Sequence, residues 1–155
     1  MSERYKVSPA TYLLLERDGD TEGSRELLLL RRAGTNYHAG DYSLIAGHLD
    51  PDESLAESMA REAQEEAGIK VDPADMQHVH TMHVRTEQPG DLTDERIDFY
   101  FTASSYEGEP QIMEPDKCDD MQWFPEDQLP ANIIPKVADA IRKIRACETF
   151  SELGW

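Results

Sequence analysis

The sequence has few cysteines, few basic residues and no long apolar run. Only Cys118 and Cys147 occur among the 155 residues, and they do not form a CxxC pair. This usage predicts free thiols in a reducing cytoplasm rather than a disulfide framework. No apolar stretch approaches the roughly 18 residues that cross a bilayer, and the N-terminal residues 1–10 lack the apolar middle of a secretory signal. We therefore expect a cytoplasmic protein with no membrane partner.

The charge is strongly one-sided. Fifteen Lys and Arg residues face 32 Asp and Glu residues, which gives a formal net charge of −17. Phosphate backbones are normally met by clusters of Lys and Arg, so an extended nucleic acid is not an expected partner. A small anionic substrate stays compatible with this charge because a bound divalent cation supplies positive charge locally.

Length and patterning indicate one domain over residues 1–155 with strands and two main helices, an α/β or α+β class. A capping box of Ser54 and Glu57 begins the first helix, and Gly68 ends it. The second helix is predicted over residues 135–147, with inward-facing Val137, Ala140, Ile141 and Ile144. Strands are predicted at residues 12–16, 26–32, 42–45, 77–86, 96–104 and 121–124.

The first predicted helix carries a crowded set of acidic side chains. Because residues three and four apart are neighbours on a helix, Glu62, Glu65 and Glu66 project from one flank. Like charges this close are costly unless a positive group lies among them. Hard oxygen ligands of this kind suit Mg²⁺ or Mn²⁺, and Mg²⁺ typically also binds substrate phosphates. The alternative interpretation is a solvated acidic helix face, which is the usual meaning of such a run.

The spacing around this helix resembles the signature of the Nudix hydrolases. Gly47 is followed after five residues by Glu53, and after seven more by the segment REAQEEAGI at residues 61–69. The resemblance implies a mixed β-sheet sandwiched between α-helices and a pyrophosphohydrolase of the MutT type. Three departures affect the loop and packing but remove no carboxylate: Ala63 replaces a bulky aliphatic residue, Ile45-Ala46 replaces Pro-Gly, and Asp50 replaces a frequent Glu.

The same resemblance implies roles for individual residues. Glu62 and Glu66 would be the principal metal ligands, and Glu65 a further ligand or the residue that holds the attacking water. The backbone carbonyl of Ala46 would also bind metal. Arg61 and Glu53 would pair with each other and hold the loop on the helix, so that they orient the ligands.

A further carboxylate is expected from a loop remote in sequence. The turn at residues 108–110 reads Gly-Glu-Pro and resembles a MutT-type loop in which a later Glu contacts metal or water. Glu114 is our choice for that role, and the bland alternative is an exposed loop acid. Asp98 and Glu95 compete with Glu114, because their strand could also face the cleft.

Substrate recognition is less visible in the sequence. Tyr37, His38 and Tyr42 precede the signature, where an aromatic ring could stack on a base, although core packing is the commoner fate of such rings. His48 lies inside the catalytic loop and could contact phosphate or serve as a structural histidine. Asn132 could read a base edge, as a late Asn does in MutT, or act as a turn residue.

Three histidines form the pattern HxHxxH at residues 78–83. Strand alternation predicts that His78 and His80 share one face and that His83 lies on the other. With no cysteine nearby to complete a tetrahedral set, zinc binding is not expected.

These observations support a first hypothesis of Mg²⁺-dependent hydrolysis of a nucleoside triphosphate, modified or not, to a nucleoside monophosphate and pyrophosphate. A second hypothesis keeps the chemistry but acts on a nucleoside diphosphate linked to another group, such as ADP-ribose or a dinucleoside polyphosphate. A third is a non-catalytic nucleotide-binding regulator, which the complete acidic set disfavours. A homodimer is common among the proteins that the sequence resembles.

Overall fold

The computed structural model describes residues 2–34, 37–85 and 95–155. Two α-helices are present, α1 (Leu55–Ala67) and α2 (Pro135–Arg145), with a short 3₁₀ turn at Pro73–Asp75. The strands are β1 (Ser8–Asp18), β2 (Arg25–Arg32), β3 (Tyr42–Ser43), β4 (Ile45–His48), β5 (Gln77–Arg85), β6 (Glu95–Ala103), β7 (Cys118–Pro125) and β8 (Phe150–Leu153). Among the described residues, neither helix has the length and apolarity needed to span a membrane.

The strands form one mixed, branched sheet with β1 at its centre. The main path runs β3-β2-β1-β6-β5-β8, while β4 pairs with β1 and β7 pairs with β2. The β1–β6 and β5–β8 pairs are parallel and the others are antiparallel. The first half of β1 therefore lies between β4 and β6, and its end pairs with β2.

The two helices cover opposite faces of this sheet. Met59 and Ala63 of α1 are fully buried against one face, beside Leu13 and Ile45. The other face is covered by α2, whose Val137, Ala140, Ile141 and Ile144 are buried as the sequence predicts. The predicted α/β (α+β) architecture, a mixed sheet between α-helices, is confirmed.

Strand β8 is absent from the sequence-based prediction. It adds in parallel to the edge of β5, and buried His80 ties it there. The Nδ1 atom of His80 lies 2.7 Å from the carbonyl oxygen of Glu148, and its Nε2 atom lies 2.7 Å from the hydroxyl of Ser151. The imidazole is fully buried and bonded at both nitrogens, so its role is structural: it holds the C-terminal segment against β5.

The predicted faces of the histidines in β5 are wrong, and a β-bulge is the reason. The register of β5 on β6 shifts between His78 and His80, which inserts one extra residue, Val79. An inserted residue reverses the alternation of side chains. His78 therefore contacts Phe101 on the α1 face, whereas His80 is buried on the α2 face.

Candidate active site

Helix α1 is fixed at both ends by its own sequence. The Ser54 hydroxyl accepts a hydrogen bond from the Glu57 N–H at 3.1 Å, and the Glu57 carboxylate accepts one from the Ser54 N–H at 2.9 Å, so the predicted capping box is present. At the other end Gly68 adopts φ 67°, the left-handed conformation that favours glycine at a helix terminus. These caps fix where α1 begins and ends, and the burial of Met59 and Ala63 against the sheet fixes the direction of its acidic flank.

Arg61 is the centre of the hydrogen-bond network on that flank. Its Nε and Nη2 atoms donate to the two carboxylate oxygens of Glu53 at 3.0 and 2.9 Å. Its Nη1 atom donates to Glu62 at 2.9 Å and to Glu65 at 3.2 Å. A further bond from Nη2 to the His48 carbonyl oxygen, at 3.0 Å, ties the loop to the helix. The expected Arg61–Glu53 pairing is therefore seen, and all five guanidinium donors are used.

These contacts change the acidity of Glu53. The two bonds from Arg61, together with a hydrogen bond from the Asp50 N–H at 2.7 Å, lower the pKa of the Glu53 carboxyl to about 2. Glu53 is thus anionic throughout the neutral range, as a residue that holds an arginine must be. The Arg61 guanidinium, bonded to Glu53 and Glu62, has its pKa raised still further above its ordinary value.

Glu66 lies in a very different environment from Glu53. Burial is the main cause that raises the pKa of the Glu66 carboxyl to about 8, the hydrogen bond from the Ala46 N–H at 3.2 Å lowers it, and the charges of Glu62 and Glu114 add to the rise. Burial likewise raises the pKa of Glu62, against the effect of Arg61. Burial therefore disfavours the charged form of these carboxyl groups when no cation is bound.

The loop carboxylate that faces this centre is Glu114. It lines the same cavity as Glu62 and Glu66, and its carboxylate lies 3.3 Å from the Lys117 ammonium. Its two competitors are engaged elsewhere. Asp98 is fully buried in an ion pair with Lys136, and Glu95 pairs with His83 at 2.7 Å.

A cavity of about 580 Å³ opens between α1, β1, the loop at residues 47–53 (the signature loop) and the loop that carries Glu114. Acidic side chains line it together with cationic, aromatic and apolar ones. The acidic set comprises Asp50, Glu62, Glu65, Glu66 and Glu114, and the cationic and aromatic set comprises Arg31, Arg32, Arg96, Lys117, Tyr12 and Tyr37. This mixture of charges suits a substrate whose phosphates bind cations held by the acids and whose remaining groups contact the cationic and aromatic side chains.

The structure divides the predicted substrate-binding residues. His48 and Ala46 line the cavity. Tyr42 does not line it, because its ring packs edge-on against Phe124, its hydroxyl donates to Asp120, and only 6% of the residue is exposed. This placement in the core argues against the predicted stacking of Tyr42 on a base.

His38 and Asn132 are also engaged outside the cavity lining. The Nδ1 atom of His38 lies 3.0 Å from the Asp41 carboxylate. The side-chain amide nitrogen of Asn132 donates to the Gly40 carbonyl oxygen at 2.8 Å, and the backbone carbonyl oxygen of Asn132 accepts a hydrogen bond from the Tyr42 N–H. Asn132 therefore joins two loops, and reading of a base edge stays a prediction for it.

Sequence reasoning missed several residues of the cationic and aromatic set. Arg32 donates from Nε to the Tyr37 carbonyl oxygen at 3.0 Å, and its guanidinium lies over the Tyr37 ring at 5.2 Å. Tyr12 and Arg96 also line the cavity, and the surface that these two side chains form is its floor. The alternation of β1 and β6 could have identified their face, but only with the β1–β6 register in hand.

The acidic side of the cavity fits a divalent cation by its chemistry. All candidate ligands are hard oxygens, and Glu66 is buried with a hydrogen bond from only one donor, the Ala46 N–H, among the described residues. The absence of a side chain at Gly47 leaves space for the Glu62 carboxylate, because a Cβ atom at this position would overlap it. Within residues 2–34, 37–85 and 95–155, no three acidic, histidine or cysteine side chains already converge as a ligand set. To bind a cation, the carboxylates of Glu62 and Glu65 would have to turn away from the Arg61 guanidinium.

Comparisons with known proteins identify the family. The sequence model of the NUDIX domain matches residues 8–146. The chain therefore belongs to the NUDIX domain family. The resemblance inferred from the signature is confirmed.

The relatives in sequence include longer proteins. The chain is 32% identical over 126 residues to the NAD-capped RNA hydrolase NudC of Stutzerimonas stutzeri, covering 81% of this chain and 39% of that protein. It is 31% identical over 149 residues to NudC of Chromobacterium violaceum, covering 96% and 49%. The chain thus spans less than half the length of these curated relatives.

Solved structures share the fold. A MutT NUDIX hydrolase from Burkholderia pseudomallei superposes with a TM-score of 0.76 at 23% identity, over 89% of this chain and 98% of that one. The NUDIX domain of NrtR from Shewanella oneidensis, solved with ADP-ribose, gives 0.69 at 20% identity, over 92% and 89%. At these identities the likeness concerns the architecture alone.

Proposed function

We propose that the protein hydrolyses a phosphoanhydride bond of a nucleoside triphosphate, in a reaction that depends on Mg²⁺ or Mn²⁺ and releases a nucleoside monophosphate and pyrophosphate. One observation carries the proposal: Glu62, Glu65 and Glu66 lie on one flank of α1 and line a cavity that cationic and aromatic side chains also line. The volume of about 580 Å³ lies within the range of small-molecule sites.

A bound divalent cation supplies the chemistry of polarising a phosphoryl oxygen and lowering the pKa of a coordinated water. Glu62, Glu66 and the Ala46 carbonyl would hold it. Glu65 and Glu114, at the mouth of the acidic side, would bind a further cation or hold the water that attacks phosphorus.

The remaining residues position these ligands and the substrate. Arg61 and Glu53 hold the signature loop against α1, and the His48 carbonyl oxygen is part of that contact. Arg32 and Lys117 place positive charge beside the acidic side, where phosphate oxygens would lie. This arrangement neutralises charge on the substrate without the extended basic surface that the net charge of −17 excludes.

A second candidate is hydrolysis of a nucleoside diphosphate linked to another group. The curated relatives favour it, because they are named as hydrolases of NAD-capped RNA, and the NrtR domain was solved with ADP-ribose. The acidic balance of this chain supports a free nucleotide rather than RNA as its substrate. The complete set of acidic residues supports catalysis over a purely regulatory binding role.

The test is a panel of ATP, GTP, oxidised triphosphates, ADP-ribose, NAD and NAD-capped RNA with Mg²⁺ or Mn²⁺, read by product identity. Pyrophosphate release from at least one triphosphate is expected. Turnover of ADP-ribose or NAD without turnover of any triphosphate would select the second candidate. The absence of turnover on the whole panel with either metal would contradict both.

A further inference from the structure

A buried ion pair lies beneath the floor of the cavity. The Lys136 ammonium of α2 donates to the Asp98 carboxylate at 2.7 Å and to the Tyr12 hydroxyl at 2.9 Å. Lys136 is 8% exposed and Asp98 is not exposed at all. None of the sequence motifs discussed above includes Lys136, and Asp98 was considered only as a metal ligand.

The strand registers place this network on the far side of β4 from the acidic helix. Ala10 pairs with Asp98, and Tyr12 pairs with Tyr100 and with Ala46, so these side chains lie on the α2 face. Gly47, the next residue of β4, faces Glu62 on the α1 side. The floor formed by Tyr12 and Arg96 is therefore separated from the carboxylates by the backbone of β4.

The hydrogen bond from Lys136 determines whether the Tyr12 hydroxyl acts as a donor or an acceptor toward the cavity. A phenol oxygen that accepts a hydrogen bond from an ammonium still has its own O–H to donate, and among the described residues this proton has no assigned acceptor. The Tyr12 ring cannot turn away, because it stacks on Tyr100 with centroids 4.8 Å apart. Tyr12 thus presents a hydrogen-bond donor to the cavity that it lines.

Arg96 is held by the same carboxylate. Its Nε atom lies 3.8 Å from Asp98 Oδ1, and within the described ranges neither buried atom has a hydrogen-bond partner. Asp98 therefore lies between two cations, Lys136 and Arg96. The Asp98 carboxylate does not line the cavity, whereas Tyr12 and Arg96 do, and Arg96 also hydrogen-bonds to the Tyr37 side chain.

A structural role alone is a weak reason for such a pair. Two charges removed from water are costly, and apolar residues of similar volume often stabilise a core as well or better. The Lys136 ammonium also lies over the Tyr12 ring, 4.9 Å from its centroid. What the charges add is a defined orientation of the two floor residues.

We propose that Lys136 and Asp98 are positioning residues that hold Tyr12 and Arg96 in place as hydrogen-bond donors for the nucleoside end of the substrate. This inference rests on the proposed function, because it assumes that the phosphates lie on the α1 side of β4. Lys136 acts through Tyr12 and touches no substrate atom. Its removal therefore weakens nucleotide binding and leaves the chemical step unchanged.

The test is a double-mutant cycle on the KM for ATP and GTP. Lys136→Met keeps the apolar stem and removes the ammonium, and Tyr12→Phe removes only the hydroxyl. Each change is expected to raise KM about 10-fold with kcat within about 3-fold. The double variant is expected to show about the same 10-fold rise rather than about 100-fold, since coupled residues are not additive.

Two controls separate positioning from folding. Lys143→Met makes the same change in α2, at a lysine paired with Asp139 at 2.9 Å outside the cavity lining, and KM should not change. The variant Lys136→Met with Asp98→Asn removes both charges of the buried Lys136–Asp98 pair together. It therefore serves if Lys136→Met fails to fold, and it should show the raised KM.

Inorganic tripolyphosphate distinguishes the two ends of the substrate, because it lacks a nucleoside. Its inhibition constant should be the same in the wild-type protein and in Lys136→Met. An equal rise in the inhibition constant and in KM would overturn the proposal, as would additive effects in the cycle or a loss confined to kcat.

If the wild-type protein turns over no nucleotide, only the proposed function fails. The same cycle is then read on the dissociation constant of α,β-methylene-ATP. A non-additive weakening supports the positioning role, and unchanged binding in both single variants overturns it.

Discussion

The carboxylate of Glu66 accepts a hydrogen bond from the backbone N–H of Ala46 at 3.2 Å. This contact joins the helix to the strand that ends in the signature loop. It is also the only hydrogen bond to a carboxylate that burial otherwise leaves uncompensated among the described residues. The first two predictions follow from this position.

Glu66→Gln keeps the shape of the side chain and removes its charge. If Glu66 holds the catalytic cation, kcat should fall about a thousandfold or more, because the charge stabilisation lost is worth several kcal/mol. The measurement is kcat at saturating Mg²⁺, with circular dichroism to verify the fold. Glu107→Gln, on an exposed loop residue, is the control and should retain normal activity. Near-normal activity of Glu66→Gln would remove the metal assignment.

The raised pKa of Glu66 also makes stability depend on pH when no metal is present. The folded-state pKa of about 8 exceeds the ordinary value of 4.5, so the folded protein binds this proton more tightly than the unfolded chain does. The resulting stabilisation is fully present below about pH 4.5 and is lost as the pH rises through about 8.

Denaturant unfolding in EDTA at several pH values tests this sign. From pH 5 to pH 9 the free energy of unfolding of the wild-type protein should fall relative to Glu66→Gln, by up to a few kcal/mol. Saturating Mg²⁺ should reduce the difference. A constant difference between the two proteins across this range would contradict the prediction.

Gly47→Ala tests the close approach of the signature loop to α1. The added Cβ atom would overlap the Glu62 carboxyl group, and Gly47 does not have a positive φ, so the backbone itself accepts alanine. We expect Glu62 to be displaced and activity to fall at least about 10-fold, as when ligand-supporting residues are changed. Thermal unfolding should shift little, and full activity would show that Glu62 needs no such room.

Ser151→Ala tests how much the His80–Ser151 hydrogen bond stabilises the pairing of the C-terminal strand β8. The change leaves the Nε2 atom of buried His80 without a partner, and an unsatisfied buried polar group costs about 1–3 kcal/mol. The free energy of unfolding should drop by that amount, while Ser105→Ala on an exposed loop should change it little. Equal stability of the two variants would mean that the Ser151 bond contributes nothing.

Local patterns predicted much of the fold and the acidic half of the site. The capping box at Ser54 and the glycine at position 68 define α1 by short-range hydrogen bonds, and these can be read from consecutive residues. The alternation of Ile97, Phe99 and Phe101 likewise identifies a strand. The acidic flank follows from helix spacing alone, before any tertiary contact is known.

The unpredicted features depend on distant or irregular pairing. The parallel addition of β8 to β5 joins segments about 70 residues apart in a strand of four residues, which is too short for a clear alternation. The extra residue Val79 reverses the faces of the strand without any glycine or proline to mark it. Lys136 and Tyr12 are separated by 124 residues, so no spacing rule could join them.

All five N–H donors of Arg61 bond to the signature loop or to the acidic flank of α1, and these bonds affect the affinity of the site for cations. Under the proposed function, an incoming ion must draw Glu62 and Glu65 away from a partner that is already part of the chain. The arginine is thus an intramolecular competitor that weakens ion binding. Occupancy then follows the free concentration of the ion, and the site empties when that concentration drops.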